Sequence, residues 1–469
     1  MHIKGQNRSQ ATLFPERLDE LITEDNPVRV IDAFIDALDL KALNFVKAQS
    51  LATGRPPYDP GDLLKLYVYG YMHRVRSSRR LEHECHKNVE VLWLLNRLAP
   101  DFKTIANFRV DNHAGLGQVC RAFVQFCRSQ QLFGGELVAI DGSKFHADNS
   151  PIKVIGQASL KSRLEQVDRQ IAEWLSALEH SDTEEATVVA DEAGHTRAAL
   201  AALETEREDL TARIAQMQEQ GVRAQPVTDS DARCMKGSRA GYNVQTAVDG
   251  KYRLIADHDV VQDRNDLRQL YRMSRRAQVQ LKAEQLTVLA DAGYSDGQSL
   301  AKCQAHGIRV YVPVQRARNP QGKSYFDKRA FEYQRSDDTY RCPAGERLVK
   351  KTKASRKRLY LYSTEACPTC LLKSQCTSAK QRWVSRHFEE DILNEVAERT
   401  AANPLMMRRR KGIVEHPFGT LKRRMDGGRF LVRGLQKVKA EMALAVTAYN
   451  MTRAINVLGV PRLCQALTA

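Results

Sequence analysis

Three acids, Asp141, Asp291 and Glu415, sit in settings that carboxylates rarely occupy without a reason. Asp141 ends the apolar run of "ELVAID", and Asp291 ends the similar run of "LTVLAD". Glu415 lies in "MMRRRKGIVEHPFGTLKRRMDGGRF"; between residues 405 and 440 there are eleven Lys or Arg and only two acids, Glu415 and Asp426. A carboxylate among apolar side chains is costly unless it is paired or bound to a cation. Three that converge would hold divalent ions, because a hard ion such as Mg2+ takes oxygen ligands. Two such ions roughly 3.5–4 Å apart bracket the attacking and leaving oxygens of a phosphodiester. Strand ends are stiff mounts for ligands of this kind. Each acid alone has a plainer reading. "DG" at 141–142 is a turn signal, and a charged helix around Glu415 is an ordinary solvated one. The order of the elements that carry the three must decide.

Residues 1–132 read as helical. In "EDNPVRVIDAFIDALDL" Asn26 caps a helix and Pro27 takes its first position. Pro60-Gly61 breaks the chain before a second apolar helix. Short helices interleaved with Arg and His fit a helical N-terminal DNA-binding domain of the helix-turn-helix kind, and fit a plain helical bundle equally. From Glu136 the period changes to two. "ELVAID" predicts a buried strand, and "YNVQTAVD" alternates at Tyr242, Val244, Thr246 and Val248, which predicts a half-buried one. "YRLIADHDVV" follows the Gly250 turn and completes a hairpin. Asn265 opens a helix with Leu267, Leu270, Tyr271 and Ala277 on one stripe. "LTVLAD" predicts the fourth strand, Ser295 to Gly307 a short helix, and "IRVYVPV" the fifth strand. The helix with Glu415 comes later, and "AEMALAVTAYNMTRAINVL" closes the chain.

That order, with its insertions removed, is the order of the RNase H-like fold. The class is α/β, with a mixed five-stranded sheet and helices. In that fold one carboxylate leaves the first strand, one the fourth, and one sits on the last helix, the places of Asp141, Asp291 and Glu415. The core is expected over 133–155 and 222–315, with its end, the Glu helix and the C-terminal helix over 389–469. Val414, Phe418 and Leu421 form the expected buried stripe of the Glu helix. Glu415 and Lys422 lie seven apart, two turns on one face. Gly419 leaves room for DNA or metal to approach. Pro417 disfavours a helical His416, which puts Glu415 near a helix start or a kink.

Two insertions interrupt the core. In 156–221, Leu160, Leu164, Val167, Ile171, Trp174 and Leu178 step by four and three, as do Leu200, Leu203, Leu210, Ile214 and Met217. Two heptad seams predict an antiparallel helical hairpin, either an interaction arm or a self-packed insertion. The second insertion, 316–388, gathers Cys342, Cys367, Cys370 and Cys376 in "YRCPAGERL" and "ACPTCLLKSQC". Four clustered thiols suit a closed structural Zn2+ site, and four reduced thiols in a basic insertion are the alternative. His83, Cys85 and His86 share one short helix and read better as helix polar residues than as ligands.

Composition narrows the partner. The chain has 469 residues, 42% of them hydrophobic, enough for several domains with a real core. Its 72 Lys and Arg outnumber 56 Asp and Glu, for a net charge of +16, which suits a polyanion. The N-terminal stretch has no apolar signal-peptide core, and no run of some eighteen apolar residues would span a membrane. Ten Cys without a signal point to the reducing cytoplasm, here near the nucleoid, with no membrane partner.

The chain resembles bacterial insertion-sequence transposases of the Asp-Asp-Glu type. The residues that carry the likeness are "AIDGSKFHA", "GYNVQTAVD", "LADAGYSD" and "RKGIVEHPFGTLK", and it extends over nearly the whole chain. The resemblance implies a DNA transposase whose Asp141, Asp291 and Glu415 hold two Mg2+ ions, or Mn2+. The enzyme would nick the element's ends with an activated water, and the freed 3′-hydroxyl would attack another phosphodiester. Its partners would be double-stranded DNA, both terminal inverted repeats and target, bound by a homodimer or larger assembly. Lys422 resembles the Lys that holds a phosphate near the cut end. The wider family often carries a Tyr seven before the Glu and an Arg four before it; here those positions are Arg408 and Lys411. Arg410, Lys411, Lys422, Arg423 and Arg424 are the expected DNA-binding set. Two other functions fit the same residues: an inactive transposase-derived DNA-binding regulator, and a metal-dependent nuclease that cuts without joining.

Overall fold

The apolar run before Asp141 forms the strand its sequence predicts, but the strand does not stop there. In the computed structural model, which describes residues 17–49, 56–149, 154–183, 190–219, 221–235, 239–314, 325–425 and 428–468, β1 runs Leu137–His146. It pairs along its length with β2 (Ala240–Asp249), antiparallel, with Asp141 opposite Thr246 and His146 opposite Gly241. The antiparallel strand β3 (Ile255–Val261) continues the sheet beyond β2. On the other side, β4 (Leu286–Leu289) is parallel to β1 but pairs only with Leu137–Ala139, and β5 (Ile308–Tyr311) is parallel to β4. The strand order is therefore β3-β2-β1-β4-β5, with the short strand Arg233–Cys234 beside the end of β2.

This register corrects two expectations. Asp141 lies in the middle of a strand, at the point where β4 has ended and one edge of β1 is left open. Every residue of β2 is buried, so it is a central strand covered on both faces and not a half-buried one. Alternation is lost when both faces are covered.

Helices cover the sheet. The N-terminal helices are α1 (Val28–Asp36), α2 (Pro60–Met72), α3 (Ser78–Lys87), α4 (Val89–Leu94), α5 (Phe102–Asp111) and α6 (His113–Ser129); α2 is buried nearly all round, and the others bury one face. Asn26 accepts from the Val28 amide, and Asp59, Asn88 and Asp101 cap α2, α4 and α5 through their side chains. Cys85 of α3 is buried with its thiol on the Leu81 carbonyl, as a core residue would be. The insertion hairpin pairs α7 (Gln157–Thr183) with α8 (Ala190–Glu219). Leu160, Val167, Ile171, Leu210, Ile214 and Met217 form its own core, separate from the main one, while Trp174 stays 40% exposed; the Leu178 side chain lies outside the described residues.

α9 (Gln269–Leu281) starts four residues later than Asn265 suggests; Leu270 and Ala277 are buried, but Leu267 is exposed before the helix. α10 (Gly297–Ala305) is capped by Asp296, not Ser295. The Cys-rich insertion is an antiparallel meander of β6 (Glu332–Gln334), β7 (Thr339–Arg341), β8 (Arg347–Ala354), β9 (Leu359–Ser363) and β10 (Val384–His387) around Phe331, Tyr340, Leu348, Tyr362 and Val384.

The chain returns to the core through α11 (Glu390–Ala402) and α12 (Pro404–Gly419), the helix that carries Glu415. α12 packs against β1, β2 and β4, over the edge that β4 leaves open. α13 (Leu435–Leu458) then runs between α6, α2 and β3, and α14 (Val460–Thr468) ends against α1. Two distant carboxylates cap α13: Asp229 accepts from Gly434 N at 3.2 Å and Asp231 from Leu435 N at 2.8 Å. One continuous apolar core extends from Ile22 to Leu463, so the N-terminal helices and the sheet share it. A buried ion pair crosses the same boundary. Arg76 Nη2 lies 2.6 Å from Glu441 Oε1, with the side chains 7% and 2% exposed.

Candidate active site

β1 delivers Asp141 beyond the cover of β4, after the fully buried Val138, Ala139 and Ile140. Its Oδ1 accepts the Gly142 amide at 3.0 Å. Burial is the main force raising the Asp141 carboxyl to about 6, with Asp291 and Asp266 adding to it and Arg410 and the Gly142 amide opposing. Asp291 follows β4 by two residues and caps a single 3-10 turn, accepting from Gly293 N at 2.8 Å through Oδ1.

A cation sits between the two aspartates, and it belongs to the chain. Arg410 Nη2 lies 2.8 Å from Asp141 Oδ1 and 3.5 Å from Asp291 Oδ2. The Arg410 side chain is 13% exposed, and its Nε is buried without a hydrogen-bond partner among the described residues.

Glu415 is placed differently. It lies inside α12 and is exposed, and its side chain makes no hydrogen bond or ion pair with another described residue. The helix runs through Pro417, so Glu415 is at neither a start nor a break. The missing Pro417 amide removes one helix bond, and the helix then passes directly into a π-helical turn, Thr420–Arg424. That turn alters the spacing of residues around the axis, so Lys422 does not share the Glu415 face. Lys422 is instead half-buried, donating to Ser143 Oγ at 2.6 Å and to the Lys144 carbonyl at 2.8 Å, over the Phe145 ring. Burial lowers its ammonium pKa, with Asp141 opposing. Lys411, Arg423 and Arg424 are exposed, and a side chain added at Gly419 would meet open space.

The sequence reading missed the layer beneath Asp141. Asp266 Oδ1 accepts from Asn243 Nδ2 and from Gln245 Nε2, both at 2.6 Å, and lies 3.4 Å from Lys144 Nζ. The buried Tyr294 hydroxyl donates to Gln245 Oε1 at 2.5 Å. Burial, then Asp266, Asp141 and Asp291, hold the Tyr294 hydroxyl well above its usual range. Asn243 and Gln245 are the two amides of "GYNVQTAVD", and their alternation on one face was the available signal. Their register on β1 is opposite Lys144 and Gly142. Gly142 is therefore no turn residue. An ideal Cβ there would lie 2.3 Å from Gln245 Nε2 and 2.5 Å from Asp266 Oδ1, so only glycine lets this layer close under the strand. Lys144 faces Asp266, while His146 is exposed and its imidazole pKa is lowered by partial burial and by Arg239, Lys422 and Arg429.

The four insertion cysteines meet at one small pocket with Phe326, Phe331 and Leu348. Cys342 begins the turn after β7, Cys367 and Cys370 bracket a 3-10 turn, and Cys376 ends a short helix. Burial pushes the Cys376 thiol up; Arg382 opposes, and the other three thiols add to the rise, a measure of their nearness. Among the described residues no group of three or more His, Cys, Asp or Glu is drawn close enough to hold a metal ion, at the cysteines or at the acids. At the acids, the structure brings together Asp141 and Asp291 but not Glu415. The two aspartates still fit a hard cation: they offer carboxylate oxygens and already share a guanidinium.

Two family descriptions match the chain. Residues 16–111 match "Transposase domain (DUF772)", and residues 211–451 match "Transposase DDE domain". The second span holds Asp291 and Glu415, and Asp141 precedes it. No curated protein matches. A solved structure, a piggyBac transposase synaptic complex with hairpin DNA, is 9% identical, with 94% of this chain and 79% of that chain covered at a TM-score of 0.34.

Proposed function

The chain belongs to the transposase DDE domain family and is a DNA transposase, and from that premise we propose that Asp141, Asp291 and Glu415 carry its chemistry. The family's activity is DNA cleavage and strand transfer, generally with divalent metal ions. The observation that supports the assignment is the guanidinium shared by Asp141 and Asp291, which marks the gap between them as a cation site. The strand order β3-β2-β1-β4-β5 supports an RNase H-like core.

Asp141 and Asp291 would hold Mg2+ or Mn2+ from the middle of β1 and from the turn just past β4, with Glu415 completing the set from α12. Divalent ions there supply a Lewis acid and a nucleophile at neutral pH. The chain's residues do the rest. The Asp266–Gln245–Tyr294 layer fixes the strand under Asp141. Lys411, Arg423 and Arg424 meet phosphates from the exposed side of α12 and its π turn. Lys422 has spent two of its three ammonium donors on Ser143 and Lys144, and the third remains for a phosphate oxygen. The N-terminal helices serve as the DNA-end reader, and the enzyme acts as a homodimer or larger assembly on paired ends. The Cys insertion would be a structural Zn2+ module if the ion draws its four thiols, which line one pocket, closer together than they stand.

The test is a strand-transfer assay with Mg2+ and DNA carrying the element's ends. Asp141→Asn, Asp291→Asn and Glu415→Gln should each bind end DNA but neither cut nor join it. Wild-type rates in any of the three would remove that residue from the site. A wild-type protein that binds ends and never cuts them would favour the regulator.

A further inference from the structure

We infer that Arg410 is the resident counter-cation of the Asp141–Asp291 pair and must leave before that pair can accept a divalent ion. The inference rests on the site assignment above. Its ground is the manner of the contact. An Arg built to pair with one carboxylate engages it with two nitrogens in a fork. Here a single nitrogen, Nη2, serves two carboxylates at 2.8 and 3.5 Å, and the buried Nε has no partner among the described residues. The side chain is stretched across the gap between the acids, not matched to either.

One cation already lies between the acids. Two carboxylates on rigid mounts repel each other unless a positive charge lies between them, and in the DNA-free chain Arg410 supplies it. A guanidinium does not lose its proton in proteins, so its charge cannot be removed by titration. It can be removed only by movement of the side chain. Its neighbours Arg408, Arg409 and Lys411 are exposed, so the way out leads toward the basic side of α12. A phosphate there would attract the guanidinium as it leaves the acids. DNA binding and metal binding then help each other through one side chain, and such coupling is necessarily reciprocal. Arg410 is thus a positioning residue: it holds the two acids in place while no ion is bound and yields the site when DNA arrives.

The experiment measures Mn2+ binding to the full-length, DNA-free protein by calorimetry and by electron paramagnetic resonance of free Mn2+. Arg410→Gln should bind Mn2+ about tenfold more tightly than wild type. Its unfolding temperature should be lower without metal and rise more when Mn2+ is added. Arg410→Lys keeps a cation at the gap and should stay as weak as wild type. Added end DNA should tighten Mn2+ binding in wild type and have less effect in Arg410→Gln. Equal or weaker binding by Arg410→Gln, with Asp141→Asn abolishing binding, would overturn the inference and leave the site assignment standing. Mn2+ binding that survives Asp141→Asn unchanged would instead remove the site assignment.

Discussion

Gly142→Ala tests whether the site is held by close approach. The added methyl would lie 2.3 Å from Gln245 Nε2, 2.5 Å from Asp266 Oδ1 and 3.0 Å from Tyr294 OH. Gln245 is the flexible member, but it is fully buried and bonded at both ends, to Tyr294 and to Asp266. It cannot swing aside without giving up both bonds. Overpacking of this kind costs about 1–3 kcal/mol, and a buried polar group left unpaired costs a further ~1–3 kcal/mol. Alanine returns roughly 0.5–1 kcal/mol of backbone entropy relative to glycine. The net expectation is a loss of about 1–5 kcal/mol. The catalytic effect should be larger in relative terms. Gly142 follows Asp141 directly, and a displacement of the order of 1 Å at a reacting group costs about a hundredfold. Denaturant unfolding followed by circular dichroism gives the first quantity. Single-turnover cleavage of end DNA gives the second. A Gly142→Ala protein within about 0.5 kcal/mol of wild type and with wild-type cleavage would refute the close-approach argument.

Three further outcomes follow from the same contacts. Glu441→Gln removes the negative charge that faces the buried Arg76 guanidinium and should destabilise the protein, by at most about 3–5 kcal/mol; because the pair joins the N-terminal helices to α13, both should lose structure in one transition, and two separate melts would contradict the shared core. Lys411→Ala and Arg423→Ala should each weaken end binding at all sequences and reduce the slope of log K against log salt by about one; an unchanged slope removes that residue from the phosphate contacts. Purified protein should carry one equivalent of zinc, lost in Cys370→Ser along with the fold of the insertion but not of the main core; less than one equivalent in wild type, or zinc unaffected by Cys370→Ser, would leave four reduced thiols.

Strands β1, β4 and β5 were legible because each begins as or is a short apolar run, β2 and β3 because a Gly250 turn joins them, and their order along the chain suggested the topology. What failed depended on partners that sequence does not place locally. "DG" after an apolar run read as a strand end because the signal for a turn is local. The signal for continuing is the register with β2, more than a hundred residues away. "YNVQTAVD" read as half-buried because its polar members looked solvated, when Asn243 and Gln245 in fact face a buried carboxylate. The meander of the Cys-rich insertion was not read at all. Its strands are three to eight residues long and rich in Lys, Arg and Tyr, so neither period nor apolar run marks them.

The basic run "RRRK" shows how much more could have been read. Four consecutive helical residues point in four directions, 100° apart, so they cannot all face DNA. The buried residues of α12 are Ile413, Val414, Pro417 and Phe418. Residues three and four before such a stripe lie on it. Arg410 is three before Ile413 and four before Val414, and it alone of Arg408, Arg409, Arg410 and Lys411 turns inward. Glu415, one residue beyond Val414, is carried off the stripe to the exposed side. The sequence thus contained, in the spacing of two aliphatic residues, which charge would meet the aspartates first. A cation on the inward stripe and the third acid outside it belong to one helix, about 140° apart around its axis, so Arg410 leaves by its own side chain while α12 stays seated on its buried stripe, and the same helix couples metal binding to the acid that completes the set. That coupling is why the metal-binding behaviour of Arg410→Gln and the cleavage defect of Glu415→Gln must be measured on the same preparation: if the helix works as argued, the double variant should bind Mn2+ less tightly than Arg410→Gln alone and still fail to cut.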